Sequence, residues 1–124
     1  MEQLLHYVWK HKIFPLSALQ TTSGRPVEVI DPGLPNMNAG PDFFNAKLKI
    51  DGTLWVGNVE VHTQASEWLL HRHDCDKAYD TVILHVVGES NCDVYRTNGE
   101  LVPQMVLTCP DTVRLRYEEL RQTE

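Results

Sequence analysis

The chain has 124 residues, 42% hydrophobic and 23% charged, with a formal net charge of −6. That length suits one compact domain spanning residues 1–124, with the ordinary composition of a soluble globular protein. The acidic balance argues against broad, salt-driven nucleic-acid binding, which needs clustered Lys and Arg.

Residues 2–14 place Leu5, Val8, Trp9 and Ile13 at helical spacing, and Pro15 should end that helix. A Thr/Ser/Gly-rich loop from Gln20 to Arg25 leads to a short strand, Val27 to Ile30, stopped at Asp31-Pro32-Gly33. Leu34 to Gly40 is turn-rich and has no helical pattern. Phe44 to Ile50 alternates, with Phe44, Ala46, Leu48 and Ile50 on one face and Asn45, Lys47 and Lys49 on the other, so it predicts a half-buried strand. Asp51-Gly52 signals a hairpin, and Thr53 to His62 is the returning strand.

Thr63 or Ser66 can cap a short helix through Trp68, Leu69 and Leu70. Thr81 to Val87 is β-branched and apolar, as expected of a strand buried on both faces. Reached through a helix, it can lie parallel to its predecessor by a right-handed crossover. Cys92 to Arg96 and Leu101 to Thr108 predict a second hairpin around Asn98-Gly99. Asp111 can cap a last helix, with Leu115 and Leu120 on its apolar side. The chain stops inside that helical pattern, so it reads as the N-terminal part of a longer protein.

Cys75, Cys92 and Cys109 form no CxxC pair, and an odd count suits a reducing compartment. The N-terminus carries an early acid, Glu2, and no long apolar core, so it is not a signal peptide. The most apolar run, Val82 to Val87, is too short to span a bilayer and contains His85. The expected setting is the cytoplasm, with no membrane association and with oligomeric state left open.

The chemistry concentrates between Gly40 and His62. Gly40-Pro41-Asp42-Phe43-Phe44 opens one strand, and Asn58-Val59-Glu60-Val61-His62 closes the next. Phosphodiester cleavage with Mg²⁺ needs hard oxygen ligands held close together. Adjacent antiparallel strands hold two carboxylates about 5 Å apart when they are cross-strand partners. With a two-residue turn at Asp51-Gly52, Ile50 faces Thr53, and Asp42 faces Val61 instead of Glu60. With a three-residue loop, Lys49 faces Thr53 and Asp42 sits opposite Glu60. The second register also groups Phe44, Ala46 and Leu48 with Leu54 and Val56, a coherent apolar side. A β-bulge would restore the same alignment by another route.

His62 lies two residues beyond Glu60 and shares its face. As neutral imidazole it can accept a proton from water, and as imidazolium it can support phosphate below a pKa near 6.5. As a metal ligand it would favour Mn²⁺ or Zn²⁺ over Mg²⁺. Gln64 has the same parity and is an auxiliary candidate. His71 and His73 cannot share a face of a regular helix, but in a loop they can converge on zinc with an acidic ligand such as Asp74, or contact phosphate beside the carboxylates. His85 reads as a core histidine satisfied by a hydrogen bond. Trp9, Trp55 and Trp68 read as core residues. Glu2 and Glu28 are further auxiliary carboxylates, both expected to face solvent.

Three stretches, Val27 to Gly33, Gly40 to Ala46 and Gly57 to His62, together with Trp68, His71, His73, Asp74 and Tyr79 to Val87, resemble a bacterial family classed as a domain of unknown function. The resemblance covers nearly the whole chain and implies that the chain is the N-terminal portion of longer members. It carries no activity. The order helix, three strands, helix, strand is also similar to the αβββαβ core of the PD-(D/E)xK nucleases. That looser resemblance implies an α/β (α+β) domain with a mixed central sheet, here followed by a C-terminal β-hairpin and helix. It also implies Mg²⁺ or Mn²⁺ held by Asp42, Glu60 and the carbonyl of Val61, with catalysis by Asp42, Glu60 and His62 on nucleic acid. His62 stands where those enzymes have lysine. Two alternatives stay open: a zinc-dependent hydrolase built on His62, His71, His73 and Asp74, and a non-catalytic interaction domain that keeps a degenerate nuclease fold.

Overall fold

The computed structural model describes residues 1–14 and 19–122. It is a mixed α+β arrangement, a curled sheet with three helices. Helix α1 (Glu2–Lys10) buries Leu4, Leu5, Val8 and Trp9, a stripe set by their spacing. Glu2 in its first turn and Lys10 in its last both favour the helix dipole. The helix ends at Lys10, earlier than expected, because Lys12 turns left-handed (φ 55°) and redirects Ile13. Pro15, expected to end it, lies outside the described residues. The Trp9 indole N–H donates to the Pro32 carbonyl at 3.0 Å, tying α1 to the turn after β1.

Strands β1 (Val27–Asp31) and β2 (Leu34–Pro35) both pair antiparallel with β3 (Phe43–Ile50), which pairs antiparallel with β4 (Thr53–Gln64). The β3–β4 turn decides between the two registers. Ile50 pairs with Thr53, so the loop has two residues, with Asp51 at φ 53° and Gly52 at φ 79°. Asp-Gly tolerates positive φ at both positions, as the type I′ turn that matches strand twist requires.

That register by itself would set Asp42 against Val61. A bulge intervenes. Ala46 pairs with Gly57 but Phe43 pairs with Val59, so Phe44 and Asn45 together oppose Asn58. Asn45 takes the left-handed conformation (φ 58°) that the extra residue needs. Beyond the bulge, the pairing points Asp42 at Glu60. The bulge also moves the buried face, which is Phe43, Ala46, Leu48 and Ile50, with Phe44 only half-buried. Leu54 and Val56 are exposed and do not join it.

From β4 the chain passes through α2 (Glu67–Leu70) and two 3₁₀ turns, His73–Cys75 and Lys77–Thr81, into β5 (Val82–Glu89). β5 lies parallel to β4, as expected, and is buried from Val82 to Val87. It carries its own irregularity, because Asn58 pairs with Val82 but Val59 with Leu84. A Cβ on Gly57 would lie 2.5 Å from Ile83 Cγ2 and 2.9 Å from the Thr81 carbonyl oxygen, so only glycine admits the displaced Ile83.

The expected C-terminal hairpin reduces to a single bridge, Tyr95 with Leu101. The Arg96 guanidinium donates to the carbonyls of Asp80 and Val82, holding this loop at the start of β5. Pro103 has no N–H to extend a ladder. The next residues instead form β6 (Gln104–Val106), parallel to β5. Helix α3 (Asp111–Gln122) packs Val113 and Tyr117 against the core, with Tyr117 5.1 Å from the Tyr7 ring of α1. Leu115 and Leu120 lie on its exposed side, contrary to expectation.

The two faces of the sheet differ. One buries an apolar core of α1, Val29, Phe43, Leu48, Val59, Val61, Leu84, Val86 and Met105. The other holds Trp68, Val82, Val87, Val94 and Val102 around a polar centre. Fully burying Trp9 and Trp68 contributes on the order of 3 kcal/mol each. Trp55 departs from the core reading: it is 49% exposed and lines an open groove with Ile83 and Pro103. No helix among the described residues is long and apolar enough to cross a membrane.

Candidate metal centre

Residues 59 and 61 of β4 point to the apolar core, so 60 and 62 point to the other face. There Glu60 pairs with His85 and His62 with Val87 in the parallel ladder. Asp42, just ahead of β3, meets Glu60 through reciprocal bonds. The Asp42 N–H donates to Glu60 Oε1 at 3.1 Å, and the Val61 N–H donates to Asp42 Oδ2 at 2.9 Å. The Val61 side chain itself is buried on the opposite face.

Two imidazoles close over Glu60. His73 Nε2 lies 2.8 Å from Glu60 Oε2 and His62 Nε2 lies 3.5 Å from the same oxygen. His71 completes the group, and the ligand atoms of His62, His71 and His73 all lie within 4.8 Å of one another. His73 Nε2 is close to Glu60 but off the line a ring N–H would take, so both of its buried ring nitrogens lack a hydrogen-bond partner among the described residues. A buried nitrogen this close to a carboxylate oxygen, with no hydrogen bond to hold it, is placed as a second donor to a shared ion would be. His71 is exposed and forms the open side of the centre.

His71 and His73 converge because the residue between them is left-handed. His71 caps α2, Arg72 takes φ 60°, and His73 opens the next 3₁₀ turn. The chain reverses within one residue, which no regular element allows. Tyr79 stacks on the His73 ring at 3.6 Å between centroids, and Trp68 stands edge-on to both His73 and His85.

Burial and the proximity of Asp42 push the Glu60 carboxyl up to about 10, so it holds a proton at neutral pH. Burial pushes Asp42 the same way. Hydrogen bonds from His6, Glu60 and the Val61 N–H more than offset this, holding Asp42 below the usual carboxylate range. The pair therefore carries one proton and one negative charge. Burial depresses His62 to about 3 and His73 and His85 to about 4, so all three imidazoles are neutral. A neutral ring offers a lone pair, the form in which histidine binds a metal.

The sequence-predicted residues fare differently. Asp42, Glu60, His62, His71 and His73 come together. Gln64 is exposed and donates to Glu89 Oε2 at 3.1 Å, turned away from the imidazoles. Asp74 is outside the group formed by the three histidines, and the carboxylate beside them is Glu60. Glu28 pairs with Lys49, at the far end of β3. Glu2 belongs to the neighbourhood instead: His6, one turn along α1, lies 4.0 Å from Glu2 and 3.4 Å from Asp42 Oδ2. The involvement of His6, Tyr79 and Gln104 was not legible from pattern. The nearest signal was Tyr79 within the resemblance stretch.

A model of a family described as a protein of unknown function, DUF2851, matches residues 2–124. The chain belongs to this family. No curated protein and no solved structure matches it. For this DUF2851 chain the geometry of the centre is therefore what bears on function. Oxygen from Glu60 and imidazole nitrogen from His62, His71 and His73 suit a borderline divalent ion such as Mn²⁺ or Zn²⁺ better than Mg²⁺, which prefers oxygen.

Proposed function

We propose that this chain is a metal-dependent phosphodiesterase of nuclease type, with the ion held by Glu60, His62, His71 and His73. The observation that carries the reading is the cluster of His62, His71 and His73, two of them against Glu60, directly beside Asp42. The antiparallel β1–β3–β4 group followed by a parallel β5 supports it, because this is the order of the PD-(D/E)xK core.

A divalent ion there would neutralise phosphate charge and lower the pKa of water. The residues supply the rest. Glu60 would hold the ion as a carboxylate, its proton passing to solvent. His62, at the lysine position, serves as a ligand in place of a cation. Asp42 stays ionised and can take a proton from the attacking water, and His6 at 3.4 Å can share it. Arg72 is exposed beside His71 at the open side, where a phosphate would arrive. With a net charge of −6 this suits a short or single-stranded nucleic acid.

The test compares the protein with Glu60→Gln. Mn²⁺ and Zn²⁺ binding by calorimetry and cleavage of single-stranded DNA, RNA and bis(p-nitrophenyl) phosphate should all be lost in the variant. Its metal-free melting temperature should be unchanged or higher, since Glu60 is already neutral. Metal binding and cleavage that survive Glu60→Gln would overturn the assignment.

A further inference from the structure

Behind His62 runs a line of buried polar groups that reaches the three-histidine centre through His62 alone. His62 Nδ1 lies 2.7 Å from His85 Nε2, and His85 Nδ1 lies 2.9 Å from Gln104 Oε1. His62, His85 and Gln104 are 2%, 0% and 3% exposed, so water does not share these bonds. The Gln104 amide nitrogen donates to Ser90 Oγ at 2.8 Å and to the Cys92 carbonyl at 3.0 Å.

Each bond dictates the next. The Cys92 carbonyl can only accept, so the atom facing it must be the Gln104 nitrogen, and Oε1 must face His85. An amide oxygen also only accepts, so His85 Nδ1 carries the proton. In a neutral ring the other nitrogen is then a bare acceptor. His85 Nε2 can be satisfied only if His62 Nδ1 donates to it. His62 is then left with its lone pair on Nε2, the atom 3.5 Å from Glu60 Oε2.

We infer that Gln104 and His85 are positioning residues that lock His62 in the Nδ1–H tautomer, with the Nε2 lone pair permanently presented to the centre. The arrangement does what a carboxylate behind a metal-binding histidine does, but it is uncharged and two residues long. β6 owes its place to the same line, because Gln104 pairs with His85 in the parallel ladder. An uncharged relay leaves the charge of the centre to Asp42 and Glu60, which favours exchange of the Glu60 proton for a cation. That last consequence rests on the proposed metal reading; the tautomer does not.

Long-range proton–nitrogen correlation spectra of the ¹⁵N-labelled, metal-free protein read the tautomer directly. His62 and His85 should both show protonated Nδ1 and an unprotonated, pyridine-like Nε2. In Gln104→Leu the preference at both rings should collapse to a mixture, and Co²⁺ affinity, read from its visible absorption bands, should fall about tenfold to hundredfold. Gln104→Glu restores an acceptor and should recover the Nδ1–H form at His85, a rescue that a merely structural role for Gln104 would not produce. A His62 ring protonated on Nε2 in the unaltered protein would overturn the inference, as would Gln104→Leu leaving the His62 tautomer unchanged in a folded protein. If the tautomers are as stated but Co²⁺ does not bind, the relay stands and the metal reading alone falls.

Discussion

The Asn45 backbone N–H donates to the Asn58 side-chain oxygen at 3.2 Å, across the point where β3 carries one residue more than β4. The other end of the same Asn58 amide donates to Thr81 Oγ1 at 2.8 Å, just before β5. One side chain therefore pins both the bulge that aims Asp42 at Glu60 and the start of the strand that brings His85 beneath His62. Asparagine tolerates the left-handed φ of 58° at position 45, and a β-branched residue does not.

Asn45→Val should cost about 1–2 kcal/mol in chemical denaturation, and it should weaken metal binding beyond what that loss explains, because Asp42 slips away from Glu60. Asn45→Gly should be nearly neutral on both counts. Equal metal affinity in Asn45→Val and the unaltered protein would show that the bulge does not control the centre.

Arg72 offers a parallel case with a different readout. Its left-handed backbone (φ 60°) folds His71 back onto His73. Arg72→Asn keeps that conformation accessible, so metal binding should persist while any affinity for nucleic acid falls. Arg72→Val should lose metal binding outright. Calorimetry with Zn²⁺ and a fluorescence titration with single-stranded DNA separate the two effects.

Metal-free stability should peak near pH 6.5. His62, His73 and His85 have folded pKa values depressed to about 3–4. The unfolded chain therefore binds more protons below 6.5, and stability falls as pH drops from there. Glu60 has the opposite sign. Its folded pKa is raised to about 10, so the stability it contributes is complete below 4.5 and is lost as pH climbs toward 10. Between 4.5 and 6.5 three histidines outweigh one glutamate, and above 6.5 the glutamate acts alone. Melting curves across pH should show this peak, and Glu60→Gln should flatten its alkaline side only.

Gly57→Ala should destabilise the protein by about 1–3 kcal/mol, the cost of overpacking. Its Cβ would meet Ile83 Cγ2 at 2.5 Å and the Thr81 carbonyl oxygen at 2.9 Å. Ile83→Val leaves one γ-methyl in place and should recover only part of this, since Thr81 presents backbone. Full recovery by Ile83→Val, measured by thermal melting, would contradict that division.

Much of this was readable from the residues. Period-2 and period-3.6 patterns placed α1, β1, β3, β4, α2 and β5, and β-branched continuity marked β5 as buried on both faces. What failed was local. Asp51-Gly52 fits either a two- or a three-residue loop by pattern; the structure uses the tighter turn and recovers the Asp42–Glu60 alignment with a bulge. Pattern reasoning carries no direct signal for a bulge, since Asn45 alternates correctly as an outward residue. The hairpin after β5 failed because a tertiary anchor, Arg96 on the Asp80 and Val82 carbonyls, competes with strand pairing. Leu115 and Leu120 are on the wrong side of α3 because Val113 and Tyr117, which reach the core, fix the helix's rotation.

At the centre, types of residue were legible and meetings were not. Two histidines two apart gave no face in common, and only the left-handed Arg72 joins them. His85 was expected to satisfy itself quietly in the core. It does bond there, but to His62 on one side and Gln104 on the other, a partner almost twenty residues along the chain that composition cannot nominate.

The placement of His6 has a consequence for motion. It rides on α1, yet its ring stands against Asp42 and over Phe43, so the first helix is a wall of the carboxylate pair. Any transient lifting of that helix strips Asp42 of a neighbour and lets water reach Glu60. Amide hydrogen exchange along α1 should therefore slow when a cation is added, linking the breathing of the amino-terminal segment to the filling of a centre built mainly by β4 and the turns beyond it.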